Sequence, residues 1–530
     1  MTATIQTLLL LLGVLVAVAI AAERLRTAPS ILLVVAGILL AFAPGLPRLE
    51  LAPELVLLVI LPPVIYDAGV SMSWRDFRFN LRPITLLGFG CVVFTTCAVA
   101  AAAHALLGMP WAVGFLLGAI VAPPDTVAPL ALARNLHVPR RLLVVLEGEG
   151  LVNDATALVL YRFAVVAVST AAFSLGPALG TFALIVAGEI VWGIGVGWLT
   201  LRLRQWAGDP RVELTMSLMT PYFAYWVPAH LGGSGVLATV ATGLYVSWNG
   251  PLLIPAATRL QGIFFWDLLV YLIEGFVFLL TGLQVRTLLD EPRSFTVPEL
   301  AVATAAVTAI VIAARFLWVF PATYLPRWLS RSLARRDPAP SWQAVFVLAF
   351  TGIRGVVSLA AALAIPHVTA GGQPFPRRDL ILFVTFGVIV VTLVGQGPTL
   401  PALVRRLGLA RGGAEERRLE REREHAARAA MVEAARRHLD EIASTRRVSD
   451  EVLEPLRALQ DNRRQRLPKD LEGGLEVSRA SADLRLELIA AERRLLFQLL
   501  RDGKLTDETR RRIERELDLE EQGIVCRRGA

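Results

Sequence analysis

Three acids lie within one apolar stretch, Leu142–Tyr161 (LLVVLEGEGLVNDATALVLY), and they indicate the chemistry that this sequence can perform. Glu147, Glu149 and Asp154 would sit inside a membrane-spanning helix, where a charged side chain costs about 2.5–3.5 kcal/mol. Acids at such a depth either neutralise a basic partner or bind protons and cations. We therefore expect Asn153-Asp154 to be the centre of an ion-binding site.

Ionisable groups lie at a similar depth in two other apolar runs. Asp154 is twelve residues into its run, which is about 18 Å at a rise of about 1.5 Å per residue in a hydrocarbon core of about 30 Å. Asp125 is fifteen residues into the run 110–133, and Arg354 is twelve residues into the run 342–366. The three groups are therefore expected near the middle of the membrane.

Arg354 needs an acidic partner, because a guanidinium group stays protonated in a protein. Glu149 or Glu147 could supply that partner, and spacing leaves the choice open. On a helix Glu147 and Asp154 share one face, while Glu149 and Asn153 share another. One acid could therefore pair with Arg354 while Asp154 stays free to titrate.

The chemistry expected of Asp154 is competition between two ions. A carboxylate at the end of a narrow funnel binds a proton or a small cation, but not both, and burial favours its neutral form. Competition for one site couples proton release to cation uptake. Asn153 beside Asp154 lowers the local negative charge relative to paired acids, which favours one-for-one exchange. The sequence predicts a secondary active antiporter, which is not an enzyme.

Two other classes of protein place acids inside a membrane. A cation channel also uses broken helices and buried acids, but no stretch resembles a repeated carbonyl filter. An intramembrane aspartyl protease needs two catalytic aspartates, as Asp125 and Asp154 could be, but Asn153 and a pair between Glu149 and Arg354 argue against it. We favour the antiporter, with Na⁺ as the transported cation and Li⁺ or K⁺ as alternatives that the sequence does not rank.

The charges of the chain are segregated between two parts. The 530 residues are 55% hydrophobic and only 18% charged, whereas soluble proteins are about 25% charged. Charges are sparse up to about residue 405 and dense after Arg411. We predict a transmembrane exchange domain over 1–410 and a cytoplasmic helical regulatory tail over 411–530. The net charge of +8 does not indicate a nucleic-acid partner, because the arginines of the first part lie mostly in short loops.

The apolar runs predict an all-α polytopic membrane protein with about thirteen transmembrane helices. The expected spans are 3–22, 28–44, 51–69, 83–107, 110–133, 142–170, 178–201, 212–230, 233–249, 260–284, 298–325, 342–366 and 379–404. Residues 1–22 have no positive n-region and are expected to be retained. Arginine-rich loops alternate with loops that hold only Arg48, Arg286, Arg293, Arg377 and Arg378. This bias places the N-terminus outside the cell and the tail in the cytoplasm. The protein is expected in the cell (inner) membrane.

Two spans are interrupted at their centres. Residues 122–125 (APPD) break the fifth span, because consecutive prolines remove backbone donors. Residues 351–355 (TGIRG) break the twelfth span. Discontinuous helices at corresponding places in two halves indicate an inverted-repeat transporter, with spans 4–6 and 11–13 as the matched triplets.

Four stretches resemble the monovalent cation:proton antiporter-1 family of sodium/proton exchangers. They are LPPVIYDAGVSM (61–72), GAIVAPPDTVA (118–128), LEGEGLVNDATALVLY (146–161) and FTGIRGVVSLAAALAIP (350–366). The resemblance covers all thirteen spans and extends into the tail. It implies Na⁺/H⁺ exchange, a homodimer surrounded by membrane lipid, and no cofactor, since Na⁺ and H⁺ are the transported substrates.

The resemblance also implies roles for single residues. Asp154 matches the cation- and proton-binding aspartate of the family, and Asn153 matches the adjacent asparagine. Asp125 matches the acid of the unwound helix, so Na⁺ would bind at Asp154 and Asp125. Glu149 and Arg354 match an internal ion pair, which decides between the two glutamates.

Other positions depart from the family pattern. Asp67 lies where many members have a glutamate near the cytoplasmic funnel, and Glu147 is a second candidate for that funnel. Pro124 replaces a residue that is often threonine, and Gly150 replaces a frequent serine. Because both replaced side chains can ligate a cation, these departures put the selectivity and affinity of the site in question. Glu274 and Arg315 also lie in apolar runs, and a local packing or interface contact is expected for each.

Overall fold

The computed structural model describes most of the chain as helix. The described residues are 2–25, 27–44, 47, 49, 51–136, 138–170, 175–290, 295–369, 371–445, 448–465, 473–502 and 504–529. Arg48 and Arg293, which belong to the predicted loops, lie outside these ranges. Within them the only β-type contact is a single bridge between Val368 and Pro374. The chain forms two compact units, Met1–Ala414 and Glu415–Ala530.

The first unit begins with fourteen of the described helices, three of which adjoin wider π-helical turns. They are α1 (Thr2–Leu25), α2 (Pro29–Ala41), α3 (Leu61–Ser71, after the π-helical Leu55–Ile60), α4 (Trp74–Phe79), α5 (Leu81–Thr85, continuing through the π-helical Leu86–Cys91), α6 (Val92–Leu107), α7 (Trp111–Val121), α8 (Val127–Asn135), α9 (Arg140–Thr170), α10 (Leu175–Ala207), α11 (Pro210–His230), α12 (Val236–Leu253), α13 (Ala256–Asp290) and α14 (Val297–Leu329).

The remaining described helices complete the first unit and form the tail. They are α15 (Arg331–Arg336), α16 (Trp342–Phe350), α17 (Val356–Leu363), α18 (Arg378–Val390, continuing through the π-helical Val391–Gln396 and the 3₁₀ turn Gly397–Thr399), α19 (Leu400–Arg406), α20 (Leu409–Thr445), α21 (Asp450–Gln465), α22 (Gly473–Arg501) and α23 (Asp507–Gly529). In the second unit, Arg493 on α22 forms ion pairs with Asp518 and Glu521 on α23. The cytoplasmic placement and regulatory role of the tail stay predictions.

Seven of the described helices are long and apolar enough to cross a membrane. They are Ile5–Leu25, Leu81–Leu107, Arg140–Thr170, Gly176–Ala207, Ala256–Asp290, Val297–Leu329 and Arg378–Arg406. Shorter apolar helices occupy Pro29–Ala41, Leu55–Ser71 and Trp111–Val121. The predicted all-helical, multi-pass fold is confirmed, and the count of thirteen spans stays a prediction.

The two predicted interruptions are present, and they meet. α7 ends at Val121 and α8 begins at Val127, on either side of the two prolines that cannot donate backbone hydrogen bonds. α16 ends at Phe350 and α17 begins at Val356. The Asp125 backbone N–H donates to the Ile353 carbonyl oxygen at 2.7 Å, so the two interruptions cross. Each interruption separates two half-helices of 8 to 11 residues, as the predicted inverted repeat requires.

One acid joins the ends of three helices that flank these interruptions. Asp337, after α15, lies 3.1 Å from Arg82 of α5, 2.6 Å from Arg141 of α9 and 2.7 Å from Arg327 of α14. Its side chain is only 16% exposed, so these ion pairs are partly shielded from solvent. The cluster holds the helices of the two triplets together at one end.

Candidate ion-binding site

Asn153 and Asp154 lie on α9, where it crosses the first interruption. The Asp154 side chain is partly exposed, and it makes no hydrogen bond or ion pair with any residue that the structure describes. Asn153 is completely buried, and its Nδ2 donates to the Pro124 carbonyl oxygen at 2.6 Å. The amide therefore anchors the interruption to α9, while the neighbouring carboxylate stays available to an ion.

Asp125 is held by the backbone on both sides of the crossing. Its Oδ1 accepts a hydrogen bond from the Val127 N–H at 2.9 Å, whereas its Oδ2 is buried with no hydrogen-bond partner among the described residues. The carboxylate packs on Gly355 of the second interruption, where a Cβ atom would lie only 2.3 Å from Oδ2. Asp125 also lies within electrostatic range of Asp154. The structure therefore brings together the two acids that the sequence places on separate spans.

The two positions that depart from the family pattern lie beside these acids. Pro124 contributes its carbonyl oxygen to the Asn153 amide, so it keeps a backbone contact although it has no hydroxyl. Gly150 faces Thr126, and a Cβ atom at Gly150 would lie 2.3 Å from the Thr126 Oγ1. Close packing of the interruption on α9 therefore requires a residue without a side chain at position 150.

The predicted ion pair between Glu149 and Arg354 is wrong. Arg315 on α14 contacts both oxygens of the Glu149 carboxylate, with Nη1 at 2.5 Å from Oε1 and Nη2 at 2.9 Å from Oε2. Nε and Nη2 of Arg315 also donate to the Leu348 carbonyl oxygen, at 3.3 and 3.0 Å. Glu149 is completely buried, and this two-pronged contact neutralises it.

Arg354 donates instead to the buried carbonyl end of a half-helix. Its Nη1 donates to the Ala122 carbonyl oxygen at the C-terminus of α7 at 2.5 Å. The last carbonyls of a helix have no partner within the helix and carry partial negative charge, so they attract a buried cation. The Arg354 backbone N–H donates to Thr392 Oγ1 at 3.0 Å. This competing acceptor explains why Arg354 does not pair with Glu149.

Arg315 is the buried arginine whose partner the sequence did not predict. An arginine near the centre of an apolar helix needs an acid, and this signal was present in the sequence. Depth along a helix does not choose between Arg315 and Arg354 as the partner of Glu149, whereas the structure shows that the Arg315 side chain extends from α14 to Glu149 on α9.

The remaining candidate acids lie around the crossing rather than in it. Glu147 forms an ion pair with Arg134 of α8 at 2.8 Å, and its side chain is 27% exposed. Asp67 on α3 is half-buried and makes no hydrogen bond to either central acid. Glu274 on α13 lies within electrostatic range of both Asp125 and Asp67. Acidic side chains therefore extend from Asp125 and Asp154 to Asp67, and Glu274 interacts electrostatically with Asp125 and with Asp67.

The crossing offers oxygen atoms of the kind that small, hard cations prefer. Two carboxylates, an unpartnered Asn153 Oδ1 and the backbone carbonyls of an unwound helix lie together there. No group of three or more His, Cys, Asp or Glu side chains with metal-binding geometry occurs in the described ranges.

This fold, in which two interrupted helices cross at unpaired acids inside a helical membrane protein, defines a secondary active transporter. The family model described as sodium/hydrogen exchanger, transmembrane, matches residues 9–406. The chain therefore belongs to the sodium/hydrogen exchanger family. The predicted class, a secondary antiporter of monovalent cations and protons rather than an enzyme, is confirmed.

Relatives and solved structures agree with this assignment. An uncharacterized Na⁺/H⁺ exchanger of Mycobacterium bovis is 39% identical over 378 residues, which cover 71% of this chain and 69% of the relative. A sodium, potassium, lithium and rubidium/H⁺ antiporter of Bacillus pumilus is 32% identical over 358 residues, covering 65% of this chain and 53% of the relative. The structure of the sodium proton antiporter MjNhaP1 from Methanocaldococcus jannaschii at pH 8 shares the fold, with a TM-score of 0.59 and 18% identity over 76% of this chain and 99% of that one.

Proposed function

We propose that this protein exchanges Na⁺ for H⁺ across the plasma membrane, one for one, by competition of the two ions for Asp154. The observation that supports this proposal is a contrast between two acids of α9. Glu149 has a counter-ion on both oxygens, whereas Asp154 has no hydrogen-bond or ion-pair partner in the described part of the chain. A carboxylate without a fixed partner can exchange one ion for another.

In the proposed cycle, Asp154 alternates between a protonated and a cation-bound state. Deprotonated Asp154 binds the cation together with Asp125, and cation release leaves a charged carboxylate that favours a proton. Asn153 keeps the unwound segment in place through its bond to the Pro124 carbonyl oxygen. Arg354 offsets the negative end of α7, so that this charge does not add to that of the acids.

The identity of the cation is the open element of the proposal. Pro124 and Gly150 supply no hydroxyl, which weakens the case for strict Na⁺ selectivity. The printed name of the Bacillus pumilus relative includes sodium, potassium, lithium and rubidium. We therefore propose Na⁺ as the main substrate, with Li⁺ accepted and K⁺/H⁺ exchange as the alternative. We also propose a homodimer with an external N-terminus and a cytoplasmic tail.

The test is transport by the purified full-length protein in liposomes with an internal pH dye and an imposed proton gradient. Addition of Na⁺ is expected to dissipate the gradient in the wild type and not in Asp154→Asn, because the amide cannot carry the negative charge that binds Na⁺. Glu54→Gln, an exposed acid before α3, is the matched control and should transport normally. Normal transport by Asp154→Asn would refute the assignment.

A further inference from the structure

We propose that the Thr126 hydroxyl is a cation ligand, in place of the side-chain oxygens that Pro124 and Gly150 do not provide. This inference rests on the proposed function of Asp154 and adds a residue to the same site. Thr126 follows Asp125 directly, at the end of the first interruption, and its Oγ1 lies 2.3 Å from the point where a Cβ atom of residue 150 would be. The hydroxyl therefore occupies the space in which a serine side chain at position 150 would begin.

The hydroxyl is free to bind a ligand. Thr126 is half-buried, and its Oγ1 makes no hydrogen bond with the residues that the structure describes. The oxygen is not among the fully buried atoms of the described residues, so an ion can reach it. The backbone of Thr126 is fixed, because its carbonyl oxygen accepts the Leu130 N–H at 2.9 Å as α8 begins. A residue whose backbone is fixed and whose hydroxyl has no partner among the described residues is suited to coordinate an ion.

Helix geometry directs Asp154 toward the same hydroxyl. Gly150 lies four residues before Asp154, so the two positions share one face of α9. Side chains of a helix lean toward its N-terminus and cover the preceding turn. The Asp154 carboxylate therefore leans over Gly150, against which the Thr126 hydroxyl rests. The buried, unpartnered Oδ2 of Asp125 belongs to the adjacent residue.

The hydroxyl adds an oxygen without adding a charge. A threonine oxygen has two lone pairs that can face a cation. A neutral ligand increases affinity for the cation while the number of titratable acids stays the same. We therefore expect Thr126 to set the apparent KM for Na⁺ and Li⁺, and the number of protons exchanged per cation to be independent of it.

The experiment compares Thr126→Val, Thr126→Ala and Thr126→Ser in the liposome assay with Na⁺ or Li⁺ as the varied ion. The first two should raise the apparent KM about tenfold, the loss of one contact to a charged group, with the maximal rate nearly unchanged. Thr126→Ser, which keeps the hydroxyl, should stay near the wild type. Thr156→Val is the matched control, because it removes from α9 a hydroxyl that is already bonded to the Val152 carbonyl oxygen.

A double variant tests whether the oxygen itself matters. Gly150→Ser alone should impair transport, because its Cβ would meet the Thr126 hydroxyl. Combined with Thr126→Ala, it returns a hydroxyl to the same space and should lower the KM again. An unchanged KM in Thr126→Val and Thr126→Ala, with Asp154→Asn inactive, would overturn this inference and leave the proposed function standing. Normal transport by Asp154→Asn would instead overturn the proposed function.

Discussion

The two helix interruptions cross at one point but contribute opposite chemistry. The first, residues 122–126, presents oxygens: a carbonyl hydrogen-bonded to Asn153, and the Asp125 Oδ2 and Thr126 hydroxyl, which have no hydrogen-bond partner among the described residues. The second, residues 351–355, presents a cation, because Arg354 donates to the carbonyl end of α7. The comparison indicates that the second interruption offsets the negative helix end that the first one creates beside the candidate ion site.

The acids of α9 also differ, because one is held in an ion pair and the other is a candidate ion ligand. Glu149 and Asp154 lie five residues apart, and the first is completely buried against Arg315 while the second is partly exposed and unpaired. A buried acid with a counter-ion is part of the structure, and removing its partner is costly. An acid without a counter-ion can bind a proton and a cation in turn. The following variants test this separation of structural and ion-binding groups.

The largest effect is expected on stability, from Arg315→Ala. This variant leaves Glu149 buried and unpaired, which should lower the free energy of unfolding by about 3–5 kcal/mol. Thermal stability of detergent-purified protein, followed by fluorescence-detected size exclusion, measures the loss. Arg354→Ala is the comparison and should destabilise less, because it removes a bond to a neutral carbonyl. A greater loss in Arg354→Ala would mean that Glu149 depends on Arg354 after all.

The next largest effect is expected on transport, from Gly355→Ala. The new Cβ atom would lie 2.3 Å from Oδ2 of Asp125 and must displace that carboxylate. A shift of about 1 Å in a site can cost about 100-fold in rate, and we expect a loss of that order in the liposome assay. Gly395→Ala is the control, because nothing lies within 4 Å of its Cβ position. Equal transport by both variants would show that the crossing does not position Asp125.

The smallest effect is expected from Asp67→Asn, at a half-buried acid outside the crossing. Loss of this charge should raise the apparent KM for Na⁺ roughly two- to fivefold, as partly exposed charges contribute little. The effect should shrink in the presence of an inert salt, which screens the long-range attraction of Asp67 for Na⁺ in the wild type. Measuring the KM at low and high ionic strength separates this long-range attraction from direct binding. A complete loss of transport would instead place Asp67 among the ion ligands.

The sequence predicts the features that depend on local chemistry. The consecutive prolines of residues 122–125 and the two glycines of residues 351–355 disfavour helix, so both interruptions were predictable. The length and apolarity of the spans were sufficient for the multi-pass fold. The depth of Asp154 and Asp125 along their spans indicated that they belong together, and the structure places them within electrostatic range of each other. Their transport role stays a prediction.

Long-range packing determines what the sequence could not predict. Depth does not reveal which helix faces which, so Arg354 was paired with Glu149 although Arg315 occupies that place. The relation between Thr126 and Gly150 depends on how the first interruption rests on α9. The π-helical turn Leu86–Cys91 contains Gly88 and Gly90, and the Trp318 indole donates to the Leu86 carbonyl oxygen there from α14.

The three ion pairs of Asp337 restrict how the helices they join can move. Asp337 ties α5, α9 and α14 at one end, and the pair between Glu149 and Arg315 ties α9 to α14 again inside the bundle. Two attachments at different heights oppose both sliding and hinging between α9 and α14. We therefore expect α9, which carries Asp154, and α14 to move together whenever access to Asp154 changes.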